Sequence, residues 1–300
     1  MHKAKTLPKS KIEIIKHKTA KCYIYAFFKH MKYLVIFFSA IMFISCSPKP
    51  YKQAEKIQTA KMEEVTASIV VNPAPTVLDS AGNAIPSAYI PTVNFGARKP
   101  FYVIIHHTAQ DSLAQTIKTF TMESTQVSAH YVISRDGFLV QMLNDELRAW
   151  HAGAGKWGNI TDMNSCSIGI ELDNNGREPF AEAQINTLLL LLAKLKKDYN
   201  IPTANFIGHG DIAPKRKADP SILFPWDVLA KNGFGLWYDL PDMPPPVNFD
   251  EEAALKRIGY DTTDMAAAIV AFKRHFTKTD LFPILSTWDR CILYNLYKKY

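Results

Sequence analysis

The sequence is poor in several features that would fix its chemistry at once. Its 300 residues include four cysteines, at positions 22, 46, 166 and 291, with no CxxC pair among them. That excludes a dithiol redox motif and a cysteine-built zinc knuckle, and Cys166 and Cys291 are expected as free thiols. There is no HExxH, so a helix-borne peptidase zinc site is absent too. No apolar run approaches the twenty residues of a membrane-spanning helix. Acidic residues are scarce at the start: residues 1–45 hold nine Lys and one Glu, and the formal charge of the whole chain is +7. Removing them leaves 35 − 9 = 26 basic and 28 − 1 = 27 acidic side chains, about −1 in net charge. The basic excess is therefore local, and no nucleic-acid partner is expected.

The opening segment has a different explanation. "MKYLVIFFSAIMFISC", from Met31 to Cys46, places Lys32 before an apolar run from Tyr33 to Ile44 and a small Ser45 before the cysteine, the layout of a secretory signal. A cysteine directly after such a run resembles a bacterial lipobox, with Phe43 where Leu is usual. This implies lipidation at Cys46, membrane attachment through that lipid, and translation from Met31. Ser47-Pro48-Lys49 brings no acidic residue after the cysteine, so the expected location is the outer membrane, facing the periplasm. Residues 1–45 are then an N-terminal extension with signal peptide, and 46–98, polar and proline-rich, a flexible tether.

From residue 99 to 239 the pattern is that of one α/β or α+β domain, with a mixed central sheet flanked by helices. "FYVIIHH" is a short buried strand, and Leu113, Ile117 and Phe120 mark an amphipathic helix within 111–122. "SAHYVISRDGFLVQML" reads as two strands joined at Arg135-Asp136-Gly137, because Asp-Gly accepts positive φ. "SIGIEL" is a further strand, "AEAQINTLLLLLAKLKKDY" the longest helix, and "NFIGH" a last strand ending at His209. Residues 240–249, "LPDMPPPVNF", form a stiff linker. Beyond it, 250–300 reads as a small all-α module with a break at Gly259-Tyr260-Asp261 and Met265, Ile269, Phe272 and Phe276 on one helical face.

Histidine placement carries the chemical signal. His106 and His107 close the first strand, His130 lies in the second, His151 stands in "AWHAG", and His209 ends the last; strand ends converge on one rim of a sheet. A catalytic zinc site takes three protein ligands and leaves one position open. His209 and Asp219, ten residues apart on a proline-braced loop, are two candidates, and His106 supplies a third. Asp211 competes as a carboxylate, but two residues from His209 it more naturally caps or turns the loop.

"IIHHTA", "SAHYVISRDG", "AWHAG", "SIGIEL" and "GHGDIAPKRKADP" followed by "FPW" occur here in one order and spacing. Together they resemble the zinc-dependent N-acetylmuramoyl-L-alanine amidases of type 2, a fold shared with peptidoglycan recognition proteins. The resemblance covers about Phe101 to Trp226. It implies one zinc ion held by His106, His209 and Asp219, with Glu171 as catalytic carboxylate and Lys217 as its helper. Amide hydrolysis needs those types: a base for the attacking water and a positive group for the oxyanion. Phage members place a catalytic Tyr where this chain has Ala129, so the Glu-based version is implied. His107 alternates to the other side of its strand and is expected to be structural or to support the metal ligands. His130 and His151 are candidate substrate contacts or supports of the ligands, with a purely structural role as the alternative, and Trp150 and Trp157 are candidate substrate contacts that could equally pack in the core. Residues 250–300 resemble the peptidoglycan-binding-like helical domain of lipoprotein amidases. The implied substrate is peptidoglycan or muropeptide, cut between N-acetylmuramic acid and L-alanine during wall turnover, by a monomer. The competing expectation is a non-catalytic peptidoglycan-recognition lipoprotein; such relatives lack a full ligand set, whereas all five residues stand here.

Overall fold

A computed structural model describes residues 51–70, 99–240 and 243–300. The signal segment, Cys46 and most of the expected tether lie outside the described residues. The chain divides into two compact units, 1–72 and 73–300.

The described part of the first unit corrects the tether expectation: Lys52–Val70 is an α-helix (α1), not extended chain. It has neither Pro nor Gly and is rich in Lys, Glu, Gln, Ala and Met, whose unbranched or small side chains lose little freedom in a helix. Thr59 and Thr66 donate their hydroxyls to the carbonyls of Glu55 and Met62. Nineteen helical residues span about 28 Å at 1.5 Å per residue. None of the described helices is long and apolar enough to cross a membrane.

In the second unit the elements run β1 (Tyr102–His107), α2 (Leu113–Thr121), β2 (Tyr131–Ile133), β3 (Leu139–Gln141), α3 (Met163–Cys166), β4 (Ser167–Leu172), α4 (Glu182–Tyr199), β5 (Phe206–Gly208), α5 (His209–Ile212), α6 (Trp226–Lys231), α7 (Glu251–Ile258), α8 (Met265–Phe272) and α9 (Thr287–Lys299). The five strands form one mixed sheet in the order β3-β2-β4-β1-β5. β1 is parallel to both β4 and β5, β2 is parallel to β4, and β3 returns antiparallel through the Asp136-Gly137 turn. The mixed sheet flanked by helices is the class the sequence implies. Cys166 and Cys291 are free thiols.

Strand alternation divides the work between the two faces. One face carries Val103, Ile105, Ile168, Ile170, Leu172 and Phe206, buried beneath α4 and α6. Along α4, Ile185, Leu188, Leu191, Leu192 and Leu195 are buried while Leu190 is 75% exposed, so its leucine run is a core helix with one outward position. The other face carries Ile104 and Ile207, and these share a single apolar cluster with Ile212, Leu255, Ile258, Phe272, Phe276 and Leu293. The sequence reads as an appended helical module; the structure seats those helices on the sheet itself. The final helix begins at Thr287, with Ser286 as N-cap in a capping box with Asp289.

A cluster shared by the sheet and the C-terminal helices implies one transition. Phe272→Ala, at a fully buried site of the shared cluster, is expected to cost about 3–5 kcal/mol and to lower the urea midpoint of tryptophan fluorescence and of far-UV circular dichroism together. Two separated transitions would show that the helices fold apart from the sheet.

Candidate metal centre

The sheet register brings the candidate residues into line. Across the parallel ladder His106 pairs with Glu171, and Ile105 pairs with Gly208, so one step further His106 stands opposite His209. Parallel neighbours project to the same face. A carboxylate and two imidazoles therefore form one row across β4, β1 and the end of β5.

Asp219 joins that row from the loop after α5. His106 Nδ1 lies 2.9 Å from His209 Nδ1 and 3.1 Å from Asp219 Oδ2, and His209 Nδ1 lies 3.0 Å from the same oxygen. These three form the one possible metal cluster among the described residues. Tetrahedral zinc with bonds of about 2.0–2.1 Å separates its ligand atoms by about 3.3 Å, close to this triangle.

The far nitrogens of both rings agree with that use. His209 Nε2 lies 2.9 Å from the Ala152 carbonyl, which only accepts, so the proton sits on Nε2 and Nδ1 keeps its lone pair. His106 Nε2 faces His151 Nδ1 at 3.1 Å; His151 Nε2 in turn meets Ser167 Oγ at 3.3 Å, and that hydroxyl donates to the Met163 carbonyl. A proton on His106 Nε2 starts a donor chain that ends on the backbone. Burial first, then the His209 charge, lowers His106 to about 4, so its imidazole is neutral near pH 7. Burial alone would raise Asp219, yet the closeness of the His106 and His209 rings holds it well below the usual carboxylate range.

Glu171 occupies the row's other end. Its Oε1 is 3.9 Å from His106 Nδ1, and its Oε2 is buried with no hydrogen-bond partner among the described residues. Burial, then the Asp219 charge, pushes its carboxyl up to about 8, while Lys217 works in the opposite direction. β4 lies between β2 and β1, so Glu171 is on a central strand rather than a solvated edge.

The expected substrate contacts divide. His130 is fully buried, accepts from the Gly169 N–H at Nδ1 and meets the Leu147 carbonyl at Nε2; with both nitrogens engaged it is structural. His151 is buried with both nitrogens engaged, supporting His106 instead of facing a cleft. Its ring fits because residue 169 is Gly: a Cβ there would sit 2.4 Å from His151 Cγ. Trp157 is 7% exposed and packs edge-on against Tyr260 at 5.0 Å, which makes it core. Trp150, 47% exposed, alone keeps an open face. His107 accepts the Ser221 N–H at Nδ1, on the sheet face away from His106, as a structural residue would.

Sequence reasoning left Arg216 without a role. Its Nη2 donates to the carbonyls of Ala152 and Ala154, both at 2.7 Å, fixing the loop that holds His209. Only its place in the same loop as the ligands hinted at this. Lys215, also unassigned, makes an exposed ion pair with Asp264 at 3.3 Å.

A pH test follows from Glu171 in metal-free protein. Its folded value of about 8 lies above the unfolded value of about 4.3, so the folded state retains a proton that the unfolded state has released. Stability from this group is present at low pH and falls as pH rises through that window. Glu171→Gln removes the charge at constant shape. In chelator, its melting temperature is expected to match the wild type near pH 5 and exceed it near pH 8.5; parallel pH dependences would refute the burial of this carboxyl.

The comparisons with known proteins fall on the same residues. The family model described as N-acetylmuramoyl-L-alanine amidase matches residues 96–222. N-acetylmuramoyl-L-alanine amidase AmiD of Escherichia coli (strain K12) is 35% identical over 212 residues, 59% of this chain and 75% of that protein. The 1,6-anhydro-N-acetylmuramyl-L-alanine amidase AmpD of Haemophilus influenzae is 41% identical over 103 residues, 34% of this chain and 56% of its own. The solved complex of Escherichia coli AmiD with anhydro-N-acetylmuramic acid-L-Ala-D-gamma-Glu-L-Lys superposes with a TM-score of 0.61 at 30% identity, covering 74% of this chain and 97% of that one. On this likeness over most of a relative's length, the chain belongs to the N-acetylmuramoyl-L-alanine amidase family.

Proposed function

We propose that this chain hydrolyses the amide between N-acetylmuramic acid and L-alanine in peptidoglycan or muropeptides, with one zinc ion held by His106, His209 and Asp219. The carrying observation is the convergence of two imidazole Nδ1 atoms and one carboxylate oxygen within 3.1 Å of one another, each imidazole with its other nitrogen engaged. That donor set, two nitrogens and an oxygen, suits zinc. When bound, the ion supplies Lewis acidity for the scissile carbonyl and makes a water nucleophilic at neutral pH.

The protein's own groups do the rest. Glu171 takes the proton of the attacking water and returns it to the departing nitrogen of L-alanine, a role suited to a carboxyl raised towards neutrality. Lys217, whose charge acts on both Glu171 and His106, stabilises the oxyanion. Trp150 offers an exposed ring for the glycan or peptide, in line with its 47% exposure.

The same proposal places the enzyme in wall turnover as a monomer, lipid-anchored through Cys46 to the outer membrane on its periplasmic side. It keeps 1–45 as signal segment, 99–239 as the catalytic part, 240–249 as linker and 250–300 as the helical part. The support for envelope placement is the apolar run from Tyr33 to Ile44 ending before Cys46.

Purified protein is expected to release stem peptides with a free L-alanine amino terminus from peptidoglycan. Product masses showing only glycan-strand cleavage would overturn the assignment. Chelation should abolish release and zinc restore it. Glu171→Ala should keep its zinc while kcat falls about 10²–10⁴-fold, the usual weight of a general base; undiminished turnover would move the base elsewhere.

A further inference from the structure

The segment from Gly208 to Asp219 carries two of the three ligands, and its anchorage comes largely from the C-terminal helices. Asp211 is 4% exposed. Its Oδ2 accepts the Gly208 N–H at 2.7 Å, capping the four-residue helix that begins at His209, and accepts from His275 Nδ1 at 2.8 Å. Its Oδ1 accepts the Tyr260 hydroxyl at 2.8 Å. Both partners lie in the last fifty residues and both are buried.

Further contacts from residues 274–278, between α8 and α9, reach this segment and the chain just after it. Arg274 Nη1 would lie 3.0 Å from a Cβ at position 210, a spot also 3.3 Å from the carbonyl oxygens of Lys217 and Asp219, so the guanidinium packs closely over Gly210. Gly210 N–H itself donates to the Asp219 carbonyl at 2.6 Å, closing the loop that joins the two ligands. The His275 ring stacks on Trp226, centroids 3.9 Å apart and planes within 10°. Lys278 donates to the Phe224 carbonyl.

A buried carboxylate with three donors holds the chain around it in one arrangement, because losing any donor strands a desolvated charge. Here the arrangement fixes the start of the helix whose first residue is His209. We infer that Tyr260 and His275 are positioning residues of the metal centre: acting through Asp211, the C-terminal helices hold His209 in its ligating pose and set the zinc affinity. This rests on the proposal that His106, His209 and Asp219 bind zinc.

The test uses the full chain and zinc alone. Tyr260→Phe removes one hydroxyl and leaves the ring against Trp157 and Phe272; His275→Gln keeps a donor of different reach. Competition with a chromophoric chelator should show Tyr260→Phe binding one zinc about 10–100-fold more weakly than wild type, the usual effect of losing a group that orients a ligand. Far-UV circular dichroism of the metal-free variant should be unchanged. Turnover at saturating zinc should return to within about twofold of wild type, a rescue expected of a weakened metal pose. In an Asp211→Asn background the Tyr260 change should add little, since both act through one carboxylate. Zinc affinities of Tyr260→Phe and His275→Gln within about twofold of wild type, with wild type binding one equivalent, would overturn the inference and leave the ligand set intact. A wild type that binds no zinc would instead overturn the ligand set.

Discussion

The parallel register of β1 between β4 and β5 is the constraint on which the site depends. Because His106 pairs with Glu171 and Ile105 with Gly208, the candidate base and two candidate ligands stand on adjacent strands, about 4.8 Å apart, or at the end of one. A slip of one residue in β1 would turn His106 to the opposite face and bring His107 forward. Apolar alternation prevents that slip: Val103 and Ile105 fill one core while Ile104 fills the other. Burial on both faces thus secures the chemistry at the strand ends.

The two faces are unequal partners. Beneath α4 the sheet is covered by aliphatic and aromatic side chains. On the other face the positions approaching the metal centre are Ser167, Gly169 and Glu171, and the space they leave is filled by His130 and His151. Buried polar groups tolerate such a place only when paired. The rings meet that demand by bonding to one another, to a hydroxyl and to main-chain groups, and beside them Glu171 Oε2 has no partner among the described residues.

Much of this was legible in the sequence. The strands around His106 and Glu171, the hairpin at Asp136-Gly137 and the long leucine-rich helix follow from periodicity and turn chemistry, and the structure brings the five implied metal-site residues into one neighbourhood. What was hidden depended on contacts distant along the chain. Besides His106, the partners of His130 and His151 are backbone groups and a serine that no spacing rule identifies, so their inward role could not be separated from substrate contact. Trp157 looked like a groove residue beside glycines because its real neighbour, Tyr260, lies a hundred positions away. Helix α1 was hidden for a different reason. Its polar surface has no apolar stripe to betray a period, and its local propensity was masked by the proline-rich residues that follow.

The two candidate imidazole ligands differ in what holds them. His209 is oriented by the carbonyl of Ala152, an acceptor that belongs to the main chain and that Arg216 also engages. His106 is oriented by the side chain of His151, which leans in turn on Ser167. No single side-chain replacement deletes a peptide carbonyl, whereas one base change can delete an imidazole. The direct support of one ring is therefore immune to side-chain substitution and that of the other is not, so drift at positions 151 and 167 would loosen His106 without changing any of the three candidate ligands.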